Sequence, residues 1–501
     1  MRVLMLGWEF PPFITGGLGT ACHGLTKALV RRGVEVTFVL PKSVEGDAAS
    51  HVRLLSPDRV LSAMSSVGDV PALGIPSGGG QPHTVAPAGA AGASTTVIRE
   101  GERVETRQAR FVELPMQVSS SYAPAAGAIP GVEMEAGHYW AQRERTIHGA
   151  GPDRGGGATA GGAWTAPTPH DPAGAPGWMA TPPPPVPTGA DYGGDLMGQV
   201  HRYAHFALAA ARREQFDVIH AHDWLTYPAG MWIARMSGKP LVVHVHSTEF
   251  DRSGLHVNQA VYDIERRGMH AAMLIIAVSQ LTKNTIVARY GIHADKVEVV
   301  YNGVELSPTQ PTNIGIESRD RIVLYFGRIT MQKGPEYFIR AAKRVLEYMD
   351  DVKFVVAGNG DQAARMIEMA AELGIGHKVL FTGFLRGADI QRVFALADLY
   401  VMPSVSEPFG IAPLEAMGHD VPVIISKSSG VSEVLTHALK VDFWDVDDIA
   451  NKIIAVLKYP PLQRTLREHG AFEVRKLTWD GAANRCEQIY RSATKRMGRV
   501  G

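Results

Sequence analysis

The sequence predicts an α/β protein built from two doubly wound parallel sheets that face each other across a cleft. Three observations carry that prediction. Short apolar runs alternate with helical periods along most of the chain, the pattern of parallel strands joined by crossover helices. The alternation falls into two series, separated by a polar stretch at 307–318 that contains two prolines. Polar and glycine-rich motifs follow the strands, and ligands of such folds sit outside the strands' carboxyl ends.

The first series opens with residues 3–7 as a strand, a turn holding Gly16-Gly17-Leu18-Gly19, a helix at 25–32 and a second strand at 34–40. The composition then shifts. From 151 to 190, 19 of 40 residues are Gly or Pro, a stretch that buries too little apolar surface to offset its ordering entropy. Residues 97–113 (VIREGERVETRQARFVE) alternate like a strand, so the insertion spanning about 62–190 is not uniform. Residues 62–92 and 120–190 read as mobile loops, and a tolerated insertion is favoured over an active-site lid. Order resumes with a helix at 200–213, a strand end at 217–220, a helix at 228–236 and a strand at 241–246 running into a polar loop at 246–249. A strand at 273–278, a helix at 279–290 with Ser279 as N-cap, and a strand at 297–300 complete the series.

The second series places strands at 322–327, 353–358, 379–382, 399–402 and 421–425. Its helices fall at 335–347, 363–373, 390–397 and 413–417. An amphipathic helix at 479–495 closes the chain. The domains expected are therefore 1–306, carrying the insertion, 319–475, and a terminal segment 476–501 whose helix crosses back to the first domain.

Composition narrows the function classes. With 501 residues, 45% of them hydrophobic, the chain can bury two or three cores at roughly 100–200 residues per domain. Its 50 basic and 50 acidic side chains leave no net charge to draw it to nucleic acid or anionic lipid. Cys22 and Cys486 are too few for a disulfide framework or a cysteine metal site. No apolar run reaches the ~18 residues of a membrane-spanning helix. The opening segment MRVLMLGWEFPP reads as a buried strand rather than a signal peptide. The expected compartment is the cytosol.

Four clusters could carry chemistry. Gly16-Gly17-Leu18-Gly19 lies between a strand and a helix, where backbone N–H groups and the helix terminus suit an anion. It equally reads as a tight packing turn. The spacing is not that of a dinucleotide fingerprint, and Leu40-Pro41-Lys42 stands where an acidic ribose partner would end the second strand. Arg328 and Lys333, five residues apart in a strand-to-helix loop beside Gly334 and Pro335, suit a diphosphate. Glu407 and Glu415, eight apart in a loop and the helix after it, cannot be neighbours on one helix face and so have separate tasks. A glycosidase pair would also use two carboxylates, but the adjacent cations point to phosphate. His220, His222 and Asp223 with His244 and His246 could hold zinc. Alternation at strand ends, without an H-E-x-x-H helix, suits hydroxyl recognition better.

Together these motifs resemble the retaining GT-B glycosyltransferases, above all the glycogen and starch synthases and glycosyltransferase family 4 (group 1). The resemblance covers residues 1–42 and about 196–501. Glu407-Pro-Phe-Gly-Ile-Ala-Pro-Leu-Glu415 looks like the family's E-x7-E signature. Gly327-Arg328 with Lys333-Gly334 looks like its diphosphate pair, and Trp8-Glu9-Phe10-Pro11-Pro12 with Gly16-Gly17-Leu18 like its donor loop. His222-Asp223-Trp224, His246, Asn302-Gly303 and Thr478-Trp479-Asp480 follow in order.

That resemblance implies a fold of two Rossmann-like domains and transfer of a hexosyl, favoured as glucosyl, group from an ADP- or UDP-sugar to a glycan or other hydroxyl. Neither cofactor nor metal is expected. It implies catalytic roles for His246, Arg328, Lys333 and Glu407. Gly16, Gly17, Asn302, Gly303, Phe409, Gly410, Ile411 and Glu415 would contact the donor, Glu415 at the ribose. His222, Asp223 and Glu249 would contact acceptor or sugar. Ile14 stands where the synthases carry a lysine, which moves the reading toward the broader family 4, whereas the loop from His246 to Arg252 leans toward glucosyl-transferring synthases. A sugar-nucleotide epimerase and a non-catalytic nucleotide-sugar-binding protein are the competing classes. A phosphorylase is unsupported, since no lysine clearly belongs to a pyridoxal phosphate site.

Overall fold

Fourteen strands in two parallel sheets organise the computed structural model, which describes residues 1–11, 17–41, 51–55, 110–112, 195–305 and 320–498. The first sheet contains β1 (Arg2–Leu6), β2 (Glu35–Val39), β3 (Arg53–Leu55), β4 (Arg110–Val112), β5 (Val218–His222), β6 (Leu241–Val245), β7 (Leu274–Ala277) and β8 (Val297–Val299). Their order is β3-β4-β2-β1-β5-β6-β7-β8. The second contains β9 (Arg321–Phe326), β10 (Val352–Ala357), β11 (Val379–Gly383), β12 (Leu399–Met402), β13 (Val423–Ser426) and β14 (Leu439–Val441), in the order β11-β10-β9-β12-β13-β14. The expected loops at 62–92 and 120–190 and the linker at 307–318 lie outside the described residues. Of the strand-like stretch 97–113, residues 110–112 are described, as β4.

In inner strands such as β1, β7, β12 and β13 both faces are buried, which is why they read as continuous apolar runs. Along β1, Leu4 and Leu6 enter the core that also holds Val243 and Ile275, while Val3 and Met5 enter the opposite one with Cys22 and Leu25. In β9, Val323 and Tyr325 likewise face one way and Leu324 the other. At about 1.5–3 kcal/mol for each large apolar side chain removed from water, these layers dominate the stability of both halves.

The chain order around β1 and β9 creates the cleft. From β1 the chain winds out to β2 and returns to β5 on the other side; from β9 it winds out to β10 and β11 and returns to β12. Loops on either side of such a reversal part at the carboxyl edge and leave a crevice.

The terminal helix Trp479–Met497 packs on the first sheet's helix Gly17–Arg31, although it follows the second sheet in sequence. Arg31 pairs with Asp480 at 2.9 Å and Arg32 with Glu487 at 3.0 Å. Deeper in, Tyr490 Oη lies 2.7 Å from His220 Nδ1 on β5.

Several elements differ from the sequence expectation. The polar loop after β6 turns into a short helix, Glu249–Ser253, started by a capping box in which Thr248 and Asp251 satisfy each other's backbone. The helix Gln259–Ala271 was not anticipated, although Val261, Ile264, Gly268 and Met269 recur at helical spacing on its buried face. Helices Val446–Lys458 and Pro460–Val474 and strand β14 were also missed. Among the described residues no helix is long and apolar enough to cross a membrane.

Gly303 marks where the chain leaves the first sheet. A Cβ there would lie 2.3 Å from the Trp479 nitrogen and 2.4 Å from the Thr478 carbonyl carbon. These are backbone atoms, which cannot yield cheaply. Gly303→Ala is therefore expected to destabilise the fold by about 1–3 kcal/mol, read as a lower urea midpoint; an unchanged midpoint would show that this packing is loose.

Candidate active site

A cavity of about 280 Å³ opens between the carboxyl edges of the two sheets. The first domain lines it with Gly17 and Thr20 at a helix start, His246 and Ser247 after β6, and Asn302 after β8. The second contributes Gly327 and Arg328 after β9, then Lys333, Asn359 after β10, Phe384 and Leu385 after β11, and the segment from Ser404 to Glu415 after β12.

Lys333 and Glu407 form an ion pair at the centre of this second wall. Backbone geometry brings them together across 74 residues. The Gln332 carbonyl accepts from the Val405 N–H at 3.0 Å, which lays the turn Met331–Lys333 alongside the loop after β12. Gly334 follows at φ +61, with room for a Cβ only 2.2 Å from the Pro403 oxygen. A glycine is thus required both for the left-handed backbone and for the close approach. Glu407 is fixed in turn by its N–H to the Ser428 carbonyl, 3.0 Å, and by its carbonyl, which accepts from Gly430 N–H at 2.9 Å. Ser404 donates to the same carboxylate at 3.3 Å.

One residue earlier, Ser406 Oγ donates to Asp251 Oδ1 of the first domain at 2.7 Å, and both side chains are buried. Glu433 adds a second tie: its carboxylate accepts the Gln280 and Leu281 N–H groups, at 2.8 and 2.7 Å, at the start of helix Gln280–Tyr290. A carboxylate at a helix N-terminus satisfies free donors and complements the helix dipole. The two walls are therefore held together by directed polar contacts.

On the first wall, His246 is positioned from beneath. Asp223, held at φ +57, accepts from the His246 N–H at 2.7 Å. His222 Nδ1 lies 2.9 Å from His246 Nε2. Burial lowers the pKa of His246 to about 3, so its ring is neutral at neutral pH and works as a hydrogen-bonding group rather than a cation. Burial first, then the neighbouring imidazoles, also lower His220, to about 3, and His222 and His244. The opposite effect acts on Glu415: desolvation raises its carboxyl to about 7.

The cavity gathers Gly17, His246, Asn302, Arg328, Lys333, Glu407, Phe409, Gly410, Ile411 and Glu415 from the sequence-based set. Gly16 lies outside the described residues. Four other candidates sit elsewhere. Gly303 packs on Thr478 and Trp479. His222 and Asp223 are buried behind His246 and reach the cavity through it. Glu249 faces inward: its carboxylate accepts from Arg252 Nε at 3.0 Å, Ser253 Oγ at 2.6 Å and Asn258 N–H at 3.1 Å. The expectation that Glu249 meets a sugar is corrected by that network, which uses both its oxygens.

Sequence reasoning missed Asn359, Phe384 and Leu385. Their signal was present, since each follows a strand of the second series directly, where side chains reach the crevice. It also missed Ser406, whose partner Asp251 is 155 residues away.

The buried pair makes an asymmetric prediction. Lys333→Ala would leave the Glu407 charge facing Ser404 alone in a largely dry wall, at a cost of up to about 3 kcal/mol. Glu407→Gln would leave a lysine able to reach water. The expected order of melting temperatures is wild type, then Glu407→Gln, then Lys333→Ala, with Lys333→Ala/Glu407→Gln recovering part of the loss. Equal losses in the two single variants would mean that the pair is not matched as described.

Comparison with known proteins agrees with this geometry. The family model for glycosyl transferases group 1 matches residues 307–471, that for glycosyltransferase family 4 residues 166–308, and that for the starch synthase catalytic domain residues 2–70. An uncharacterised glycosyltransferase of Methanocaldococcus jannaschii is 33% identical over 305 residues, covering 57% of this chain and 78% of the relative. The D-inositol 3-phosphate glycosyltransferase of Kribbella flavida is 28% identical over 331 residues, covering 60% and 78%. Among solved structures, sucrose-phosphate synthase of Thermosynechococcus elongatus aligns over 98% of each chain with a TM-score of 0.63 at 17% identity. Anabaena HepE, in complex with UDP and glucose, aligns over 60% of this chain and 83% of its own with a TM-score of 0.53 at 22% identity. These structures share the fold of two facing Rossmann-like domains, and the 33% identity over 78% of the Methanocaldococcus protein shows that this chain belongs to the glycosyltransferases of group 1 and family 4.

Proposed function

We propose that the chain transfers a hexosyl group, favoured as glucosyl, from a UDP- or ADP-sugar to a hydroxyl acceptor with retention of anomeric configuration. α-Glucan extension of the glycogen and starch synthase kind is the favoured reaction. The observation that carries this reading is the assembly, in one cavity, of Arg328 and the Lys333–Glu407 pair opposite Gly17 and His246.

In this reading Arg328 and Lys333 neutralise the diphosphate as it departs, acting where charge develops. The helix Pro335–Leu346 adds its N-terminal dipole. No divalent cation is needed at the diphosphate. Glu407, already fixed by Ser404 and two backbone bonds, accepts hydroxyls of the donor sugar, with the Phe409, Gly410 and Ile411 amides nearby. His246, neutral and oriented by Asp223 and His222, holds a sugar hydroxyl from the opposite wall. Front-face attack would pass the acceptor's proton to the leaving phosphate. Among the described residues a Cβ at Gly17 would meet nothing within 4 Å, which leaves room for a donor at that helix start.

A second reading, transfer to a smaller acceptor within family 4, is favoured by two facts. Relatives carry the name D-inositol 3-phosphate glycosyltransferase. The loop that leans toward glucan synthases turns Glu249, Asp251 and Arg252 inward, leaving His246 and Ser247 at the cavity.

A nucleotide-release assay with ADP-, UDP- and GDP-sugars tests the reading, with and without glycogen or maltooligosaccharide. UDP- or ADP-glucose turnover that rises with glucan and ignores added Mg²⁺ is expected, and Glu407→Ala should abolish it. Turnover indifferent to glucan selects the smaller acceptor, and donor binding without nucleotide release under any acceptor overturns the enzymatic reading.

Glu415 sets a pH dependence. Its carboxyl, raised to about 7, ionises only as pH rises through that value. If the carboxylate receives the ribose hydroxyls, the donor KM increases about tenfold from pH 8 to pH 6, following the ionised fraction. Glu415→Gln should flatten the profile, and the same slope in that variant would remove Glu415 from the ribose.

A further inference from the structure

Behind the cleft, at the carboxyl ends of β5 and β6, lies a group of side chains for which the proposed reaction has no direct use. Period-two alternation puts His220 and His222 on one face of β5, and the register pairs His222 with His244 on β6. The three imidazoles are fully buried or nearly so. Their ring centroids lie 4.2 Å (His220 to His222), 5.2 Å (His222 to His244) and 5.3 Å (His220 to His244) apart. We propose that His220, His222 and His244 form a binding site for one late first-row transition-metal cation of the zinc class.

The hydrogen bonding of the rings carries the assignment. His220 Nδ1 is anchored by Tyr490 Oη at 2.7 Å and His222 Nδ1 by His246 Nε2 at 2.9 Å. In both rings the opposite nitrogen, Nε2, is buried with no hydrogen-bond partner among the described residues, and in His244 neither nitrogen has one. Buried polar atoms are rarely left so. One ligating atom from each of the three rings lies within 4.8 Å of the others. An outer partner on one nitrogen and a free lone pair on the other is the arrangement of metal-bound histidines, where the outer contact fixes tautomer and orientation. His244 is hydrogen-bonded at neither nitrogen among the described residues, so no such contact has to break for it to ligate. All-imidazole sites suit zinc, copper and cobalt rather than magnesium or calcium.

A neighbouring set, Cys22, His222 and His246, also brings its ligand atoms within 4.8 Å. It is the weaker candidate, because His246 Nε2 is already engaged by His222. The carboxylates of Glu9 and Asp223, both buried, act on the Cys22 thiol from nearby and supply the negative field that a cation in this pocket would meet. An ion here would touch neither donor nor acceptor. It would clamp the ends of β5 and β6 and, through Tyr490, the helix that crosses back from the second domain.

The test uses the full chain, stripped with a chelator, dialysed and titrated with Zn²⁺ and separately with Co²⁺. One equivalent bound per chain is expected, with a raised melting temperature and visible ligand-field bands for Co²⁺. His244→Gln should lose that equivalent while keeping the wild-type far-UV spectrum. Tyr490→Phe should weaken binding about 10–100-fold, and Cys22→Ser should leave it unchanged. His220→Gln gives the same reading if His244→Gln does not fold. The proposal is overturned by absence of uptake in the folded wild type, or by uptake that survives both histidine substitutions. Loss in Cys22→Ser with retention in His244→Gln overturns it too, by moving the ion to the cysteine set.

Discussion

Glu407 carries its carboxylate into a wall where its side chain is 9% exposed, and the Lys333 ammonium answers it. A charge removed from water is tolerated when geometry is good and further hydrogen bonds complete its shell, and the loops around the cleft are arranged to provide that. The turn before Lys333 is bonded to the loop after β12, Gly334 lets the two backbones nearly touch, and Ser404 takes up the remaining reach of the carboxylate. Because Ser406, on the same loop, is bonded to Asp251, the loop that carries this pair is also tied to the first domain. The second wall is thus organised around one matched charge, and its contact with the first wall follows from the same few residues.

The first wall is arranged differently. His246 is oriented by a carboxylate bound to its backbone and by an imidazole bound to its ring. Both supports come from the end of β5, and β5 is in turn touched by Tyr490 of the terminal helix. The helix lies on the first sheet through buried Trp479, Ile489 and Tyr490, with arginine–carboxylate pairs at its rim. Rim pairs at such exposure contribute little, typically below about 1 kcal/mol. The apolar face holds the helix in place, and the charges set its register.

One loop shows how a family-level expectation can be altered by local folding. From His246 onward the residues resemble those of glucan synthases, yet Thr248 and Asp251 close a capping box and start a helical turn. Once that turn forms, Arg252 pairs with both Glu249 and Glu265, and the Glu249 N–H donates to Glu265, whose carboxyl is raised to about 7, mainly by desolvation. The loop's charges then stabilise the domain interior, and only its first two residues reach the cavity.

The sequence by itself determined the class of fold and most strand positions, and it named ten of the residues that line the cleft. Strands buried on both faces leave unbroken apolar runs, such as 274–278 and 399–402, and polar residues directly after them mark the crevice. Those signals are local, and local periodicity survives in a one-dimensional record. The tertiary structure decided what distant positions do to one another. It paired Ser406 with Asp251, placed Gly303 against Thr478 and Trp479, turned Glu249 inward, and stacked three histidines from two strands beneath His246. The physical reason is that sheet order and register bring together residues tens to hundreds of positions apart, and no spacing within the sequence encodes those distances.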